Sequence, residues 1–271
     1  MDLRNSGFKL APVDTNLYPG GFNNLSAAFM PLAVQAATAA IAKICPEAKN
    51  LLLVPENHTR NKWYLENVAT LAMILRQTGL EVRIGGLGVE EKTELETATG
   101  KKILLEPLQR DGTRLGVEGF HPCAILVNND LSAGIPPILE GLTEQVLLPP
   151  LHAGWALRRK SAHFAAYDEV AAEIAEKAAE PVVYMLDQFV IGGFYRVHGA
   201  RAADENLNAP GMHFVPLAFE QSCSMPDPHA NCDAPPNRFY AYGVVARLAL
   251  AAAGVELENT APVPSRTAPP E

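Results

Sequence analysis

The chain has 271 residues, of which 48% are hydrophobic, and a formal net charge of −8. This composition is sufficient for a substantial core, and an acidic chain without a basic block argues against nucleic-acid binding as its main function. We see no apolar run of membrane-spanning length and no signal peptide at the start, so we expect no membrane partner and a cytoplasmic location.

The first part of the chain shows the pattern of an α/β fold. A short apolar strand at 50–55 is followed by a helix that ends at Gly79 and by a second strand at 80–86. Strand, helix and strand with short loops predict a βαβ unit and therefore a parallel sheet. On the buried face of the helix we expect Trp63, Val68, Leu71, Ile74 and Leu75.

Between 93 and 117, alternating residues predict antiparallel hairpins at the edge of this sheet, with turns at Thr99–Gly100 and Asp111–Gly112. Further on, we predict a buried strand at 123–131, a short helix at 134–142 and a strand at 145–150. A long helix is predicted from Ser161, as its N-cap, to Ala179.

The last third predicts a hairpin at 181–198 that turns at Gly192–Gly193, then a polar loop and a closing helix over 238–257. We expect this helix to bury Tyr242, Val245, Leu248 and Leu250. We therefore predict an α/β domain over 1–179 and a smaller α+β part over 180–259. The Pro-rich tail, 260–271, is predicted to be disordered.

The four cysteines form no C-x-x-C pair. Cys223 and Cys232 flank His229 in a predicted loop, but their spacing matches no standard zinc site. We interpret Cys45, Cys123, Cys223 and Cys232 as free thiols. The alternative is a metal site in the loop that holds Cys223, His229 and Cys232.

Two polar stretches lie where ligands bind in α/β folds, at strand ends and in nearby loops. The loop 12–25 holds Asp14, Asn16, Asn23 and Asn24 around Gly20–Gly21, and either its side chains cap its own turns or they bind an amino acid. The stretch 55–61, PENHTRN, follows a buried strand directly and favours an anion or zwitterion site. Its alternative is a helix cap at Thr59 or Asn61 beside a solvated arginine.

Two further stretches carry cations. Arg158, Arg159 and Lys160 stand in a row after a predicted strand, where they fit an anionic ligand or, alternatively, a solvated edge. Arg196 and His198 alternate on a strand, so they share one face. The loop after them contains acidic and amide groups that either bind Mg²⁺ or merely cap the hairpin. The chain has no G-x-G-x-x-G, no Walker A motif and no G-x-S-x-G elbow.

Several long segments together resemble one family, the proteobacterial glutamate–cysteine ligases of the ferrooxidans type, which are ATP-grasp-like. The matching segments run in family order across almost the whole chain: DLRNSGFKLAPVDTNLYPGGFNNL, LLLVPENHTRN, LVNNDLSAGIP, LLPPLHAGWALRRKSAHF, AEPVVYMLDQFVIGGFYRVH, DENLNAPGMHFVPLAF and PPNRFYAYGVVARLALAAA. The resemblance implies a Rossmann-like (pre-ATP-grasp), partly parallel sheet with antiparallel edge hairpins, and a smaller α+β remnant of an ATP-grasp domain.

The resemblance also implies ATP-dependent joining of the γ-carboxylate of glutamate to the amine of cysteine, the first step of glutathione synthesis. Such ligases work through an acyl phosphate, which needs cations and Mg²⁺ rather than a protein nucleophile. The implied partners are glutamate and cysteine, the implied cofactors are ATP and Mg²⁺, and a homo-oligomer stays open. One alternative is a relative that binds an amino acid or dipeptide without turnover, and another is a structural subunit whose missing lobe is supplied by a partner chain.

The resemblance implies roles for residues in these stretches. As catalytic residues we predict Arg158, Lys160 and Arg196. As metal ligands we predict Glu205, Asn206 and Asn208. The substrate-binding residues that we predict are Asp14, Asn16, Asn23, Asn24, Glu56, His58, Arg60, Asn61, Asn128, Asn129, Asp130, Arg159 and His198.

One junction departs from the family. The predicted helix ending at Ala179 is separated from the strand starting at Val182 only by Glu180 and Pro181. The family carries a long segment here, with a Gly-rich stretch and much of the nucleotide-binding lobe, and a further helical region before DLRNSGFK. We therefore expect an internal deletion, weak binding of glutamate or γ-glutamylcysteine, and absent or very slow ligation.

Overall fold

The computed structural model describes residues 2–5, 10–172, 182–186, 189–198, 210, 212–216 and 238–260. The helices of these ranges are α1 (Met30–Ile44), α2 (Lys62–Gln77), α3 (Lys160–Ala172) and α4 (Arg238–Thr260). The strands are β1 (Asp2–Asn5), β2 (Leu10–Asp14), β3 (Asn50–Pro55), β4 (Glu81–Gly86), β5 (Thr93–Glu96), β6 (Lys102–Pro107), β7 (Gln109–Asp111), β8 (Arg114–Gly116), β9 (Ala124–Asn128), β10 (Val146–Leu148), β11 (Val182–Leu186), β12 (Phe189–His198) and β13 (Met212–Pro216).

The first sheet has six strands in the order β10-β9-β3-β4-β6-β5. All neighbours from β10 to β6 are parallel, and β5 closes the edge antiparallel to β6. β3 and β4 are joined through α2, which confirms the predicted βαβ unit. The predicted fold class, a mainly parallel α/β sheet with antiparallel hairpins, is thereby confirmed.

The two faces of β3 contribute to two different hydrophobic clusters. Leu51 and Leu53 pack with the apolar face of α2, whereas Leu52 and Val54 pack with Ile125 and its neighbours on the other side. Because successive strand residues point to opposite faces, a strand covered on both sides must be apolar throughout. This explains the uninterrupted run LLLV.

The region 93–117 forms hairpins, as predicted, with left-handed glycines at both turns (φ +82° at Gly100 and +57° at Gly112). Only β5 and β6 join the large sheet; β7 and β8 pair with each other in a separate two-stranded sheet.

A second sheet has five strands, all antiparallel, in the order β13-β12-β11-β1-β2. It combines strands from the beginning of the chain with strands that follow residue 181, and Asp2 of β1 pairs with Val182 of β11. The domain boundary near 179 stays a prediction, and this sheet contains strands from both sides of it.

The hairpin predicted at 181–198 is present, but its turn is not at Gly192–Gly193. Both glycines lie inside β12, opposite Tyr184 and Val183, and Leu186 pairs with Phe189. Gly192 has φ +134°, and a Cβ there would lie 2.7 Å from Leu25 Cδ1. The glycine therefore permits the close approach of another segment rather than a turn.

Three details of the predicted helices are wrong. Trp63 of α2 is 64% exposed, because it lies in the first turn, outside the face that packs on the sheet. Ser161 is not an N-cap, since α3 already begins at Lys160.

Helix α4 buries alanines more than its larger residues. Tyr242 is buried as expected, with Ala246, Ala249, Ala252 and Ala253. Val245, Leu248 and Leu250 are only half-buried, because close packing of α4 against α3 favours small side chains.

The predicted continuation of α3 to Ala179, its direct passage to β11 and the tail from 261 lie outside the described residues. One stretch, 27–44, is long and apolar enough to cross a membrane by length and composition, although we expected none. One such helix is weak evidence by itself; Ala33, Ala36 and Ala37 of α1 are buried in the core, and only 17% of the stretch is buried inside the structure.

Candidate functional site

The predicted polar stretches after β3 and β9 meet at one edge of the six-stranded sheet, because Pro55 pairs with Asn128 at the carboxyl ends of both strands. The backbone N–H of Glu56 donates to the carbonyl of Asn128 (3.3 Å). The N–H of Asp130 donates to Oε1 of Glu56 (3.1 Å), whose Oε2 lies 2.5 Å from Nε2 of His58. We call Glu56, His58, Asn128, Asn129 and Asp130 the strand-end cluster.

Two residues of this edge, Tyr64 and Asn67, were not predicted. The Tyr64 hydroxyl lies 2.8 Å from the carbonyl oxygen and 2.9 Å from Oδ1 of Asn128, and it accepts the N–H of Glu56. Nδ2 of Asn67 donates to the same Oδ1 (3.3 Å). Burial raises the pKa of Tyr64, so its hydroxyl stays protonated. Tyr64 and Asn67 lie three positions apart on α2 and therefore share a face of the helix that begins directly after the stretch 55–61.

The loop containing Gly20–Gly21 is held by side chains from both sheets. Nδ2 of Asn128 donates to the carbonyl of Pro19, and the N–H of Phe22 donates to Oδ1 of Asn67 (2.8 Å). From β11, the hydroxyl of Tyr184 donates to the carbonyl of Gly21. The loop that presents Asn23 and Asn24 is thus fixed over the strand-end cluster.

Several predicted binding residues also stabilise their own turns. Oδ1 of Asn61 caps α2 by accepting the N–H of Tyr64 (3.1 Å), as in the structural alternative. Oδ1 of Asn16 accepts the N–H of Tyr18 (3.1 Å), and Asn129 and Asp130 accept backbone N–H groups two residues on. The side chain of Arg60 is exposed.

The three consecutive cations have three different environments. Arg158 is completely buried, with Nη2 donating to Oε2 of Glu256 (2.7 Å) and Nη1 to the carbonyl of Thr15 (3.0 Å). Lys160 is 60% exposed and its Nζ lies 3.1 Å from Oδ2 of Asp14. Arg159 is exposed. Lys160 alone of the three is therefore both anchored and open to solvent.

A buried ionic cluster surrounds Arg158, and two of its members, His163 and Glu256, were not among the predicted site residues. Nε2 of His163 lies 2.9 Å from Oγ1 of Thr15, and its Nδ1 lies 3.4 Å from Oε2 of Glu256. Burial lowers the pKa of His163, despite the nearby carboxylate of Glu256, and favours the neutral imidazole. No periodicity could have linked Glu256 to Arg158, since they lie 98 residues apart.

Trp155 connects the two clusters. Its backbone N–H donates to the carbonyl of Asp130 (2.9 Å). The centroid of its ring lies 4.5 Å from Cζ of Arg158 and 5.9 Å from Nζ of Lys160. The Asp14–Lys160 pair is therefore tied to the same edge of the molecule as the strand-end cluster.

For the remaining predicted residues, either the backbone position alone is described or the residue lies outside the described ranges. Arg196 and His198 lie on β12, where they pair with Phe214 and Met212 of β13. Glu205, Asn206 and Asn208 lie outside the described residues, as do Cys223 and Cys232. In the ranges that the structure describes, no group of three or more His, Cys, Asp or Glu side chains could hold a metal ion.

Two comparisons with known proteins found similar sequences and structures. The family model for glutamate–cysteine ligase matches residues 1–178 and 172–257. A crystal structure of a "putative gamma-glutamylcysteine synthetase" from Methylobacillus flagellatus KT is 46% identical, with a TM-score of 0.84. The alignment covers 96% of this chain and 88% of that one. No curated protein matches this chain.

The two matched ranges of the family model overlap at 172–178, beside the junction at which we expect a deletion. Together they account for the chain up to residue 257, which includes the strand-end cluster and the buried ionic cluster. The chain therefore belongs to the glutamate–cysteine ligase family, a family of ATP-dependent ligases with glutamate and cysteine as substrates.

Proposed function

We propose that this chain binds glutamate, as the amino-acid substrate of a glutamate–cysteine ligase, at the carboxyl edge of β3 and β9. The observation that carries the proposal is the convergence at this edge of the strand-end cluster, the clamped loop 19–24 and the Asp14–Lys160 pair. Ligands of open α/β sheets bind beyond the carboxyl ends of the strands, particularly where loops converge.

The charges at this edge suit a zwitterion. The carboxylates of Glu56 and Asp130 attract an ammonium group, whereas Lys160 and Arg60 attract carboxylates. Lys160 is exposed enough to turn from Asp14 to a ligand, and an exposed ion pair is weak enough to allow this. The catalytic role predicted for Arg158 would require its guanidinium to leave Glu256.

The use of ATP and Mg²⁺ by this chain belongs to the proposal as well. The predicted metal ligands Glu205, Asn206 and Asn208 lie outside the described residues, and the sequence has no glycine-rich phosphate motif. We expect ATP-dependent ligation to be very slow for this reason. We also propose cysteine as the second substrate and a cytoplasmic location, both of which the family match supports; a homo-oligomer stays open.

The second candidate function is binding of an amino acid or dipeptide without turnover. The absence of a phosphate motif from this sequence favours it. Both candidates use the same amino-acid site, so glutamate binding supports either, and ATP turnover separates them.

Isothermal titration calorimetry with glutamate tests the site. We expect Lys160→Ala to weaken glutamate binding by about tenfold, the effect of losing one charged hydrogen bond of about 1.5 kcal/mol. Lys102→Ala is the matched control, since Lys102 is 67% exposed and pairs with Glu94 at the far edge strand. Equal binding by both variants, or heat from neither variant nor the wild type, would overturn the proposed site.

A further inference from the structure

Two thiols that the proposed function does not use lie side by side. Sγ of Cys45 and Sγ of Cys123 are 3.4 Å apart, although the residues are separated by 78 positions in sequence. Both cysteines are free and both are partly exposed, so a small reagent can reach them. They lie at the amino end of β9, the opposite end from Asn128.

Rigid elements hold the two cysteines in place. Cys45 is the C-cap of α1, where its N–H donates to the carbonyl of Ile41 (2.8 Å) and its carbonyl accepts the N–H of Ala48 (2.9 Å). Cys123 directly precedes β9, and its carbonyl accepts the N–H of Val146 (3.0 Å) at the start of β10. The thiols therefore stay close as long as α1 packs on the sheet.

We propose that Cys45 and Cys123 form a reversible redox modification site that reacts with low-molecular-weight disulfides, for which cystine serves as the probe. One protein thiolate attacks a sulfur of cystine, forms a mixed disulfide and releases one cysteine. The second protein thiolate attacks the mixed disulfide, forms the Cys45–Cys123 bond and releases the second cysteine. The protein loses two protons and two electrons, and one cystine is reduced to two cysteines.

The environment of Cys45 affects how fast its thiol is oxidised. The hydrogen bond to Cys123, burial and the carboxylate of Glu47 raise the pKa of Cys45, so its thiolate is scarce at neutral pH. Because the thiolate is the nucleophile, we expect oxidation to be slow at neutral pH and faster at alkaline pH.

The Cys45–Cys123 disulfide would link the end of α1 covalently to the start of β9. A cross-link between residues so distant in sequence restricts the unfolded chain strongly, and we expect it to raise the melting temperature by roughly 5–15 °C. The strand-end cluster lies about 16 Å away along β9. The inference therefore does not depend on glutamate binding, and its failure would not affect the proposed function.

Peptide mapping of the full chain after treatment with cystine tests the inference. In a C223S/C232S background, we expect a linked Cys45–Cys123 peptide, the loss of two hydrogen atoms, and a higher melting temperature that dithiothreitol reverses. Adding Cys45→Ser or Cys123→Ser should prevent all three. The same mapping on the wild-type chain serves if the background folds poorly. Full alkylation of both thiols after treatment, or mixed disulfides with cysteine at both positions, would overturn the proposal.

Discussion

At the residue scale, the run Arg158–Lys160 shows what a sequence can and cannot assign. A triple cation in an acidic chain predicts a contact with an anion, and two of the three side chains do contact carboxylates. The sequence could not tell that the anion for Arg158 is Glu256 inside the fold, because this pairing depends on the packing of α4 against the segment before α3.

The Arg158–Glu256 pair leads to a first prediction. Removing one partner leaves a buried charge without compensation, so Glu256→Ala should lower the free energy of unfolding by about 3–5 kcal/mol. Arg158→Met with Glu256→Leu removes both charges and should recover most of this loss. Urea denaturation measures both variants, and a double variant no more stable than Glu256→Ala would contradict this account.

A second prediction concerns Glu66, which is buried on α2 and bonds Lys101 and Thr99. Burial alone would raise its pKa, but the hydrogen bonds from Lys101, Thr97 and Thr99 outweigh burial and lower it to about 2. A lowered pKa stabilises the fold above pH 4.5, and this stabilisation is lost as the pH falls towards 2.

Between pH 6 and pH 3, the free energy of unfolding of the wild-type chain should therefore fall by about 2 kcal/mol more than that of Glu66→Gln. Urea denaturation at these two pH values, with Glu66→Gln as the reference without this titration, gives the comparison. Parallel loss of stability in both proteins would mean that Glu66 is not held ionised by its partners.

At the element scale, patterns that depend on burial alone were predicted well. The apolar runs of β3, β4 and β9 and the turns at Gly100 and Gly112 lie where the sequence placed them. The glycine pair at 192–193 was misassigned, because a glycine needed for close approach looks in sequence like a glycine needed for a turn. Half of the candidate site was predicted, because the ends of apolar strands can be recognised in a sequence. The helix residues Tyr64 and Asn67 were not predicted, because tertiary contacts bring them to the site.

The clamp on the loop 19–24 gives a third prediction. Asn67 accepts the N–H of Phe22 and donates to Asn128, and it is only 2% exposed. Asn67→Ala leaves buried polar groups unpaired and should cost about 1–3 kcal/mol of stability. A less ordered loop should also weaken glutamate binding by about tenfold, because the ordering must then accompany binding.

Denaturation and calorimetry on Asn67→Ala test this prediction, with Asn259→Ala, an exposed asparagine of α4, as the matched control. We expect the control to change neither quantity. If Asn67→Ala lost stability but bound glutamate as tightly as the wild type, the loop would be a structural element rather than part of the site.

At the scale of the whole molecule, the two ends of the chain are interdependent. β1 and β2 share a sheet with β11, β12 and β13, and α3 packs against α4. The sequence indicated the elements but not this pairing, since antiparallel partners so distant in sequence leave no local pattern. The family resemblance supplied what periodicity could not, namely the identity of the substrates and the junction near 180.

The last prediction concerns catalysis by the whole chain. Acyl-phosphate formation in ATP-dependent ligases requires ATP held in line with the carboxylate, and positioned donors must stabilise the transferred phosphoryl group. Loss of one such donor costs about 3–4 kcal/mol, or a factor of 10²–10³ in rate, and this sequence lacks a whole glycine-rich phosphate motif. A coupled ADP-release assay with glutamate, cysteine and Mg²⁺·ATP should therefore show turnover at least 10³-fold below the value of about 10 s⁻¹ that is typical of enzymes. Calorimetry on the same sample should still detect glutamate, because the proposed site at the strand-end cluster and the clamped loop does not use a phosphate motif. Turnover of about 10 s⁻¹ would show that phosphate binding resides in other parts of this chain, and the inferred deletion would then have no catalytic consequence.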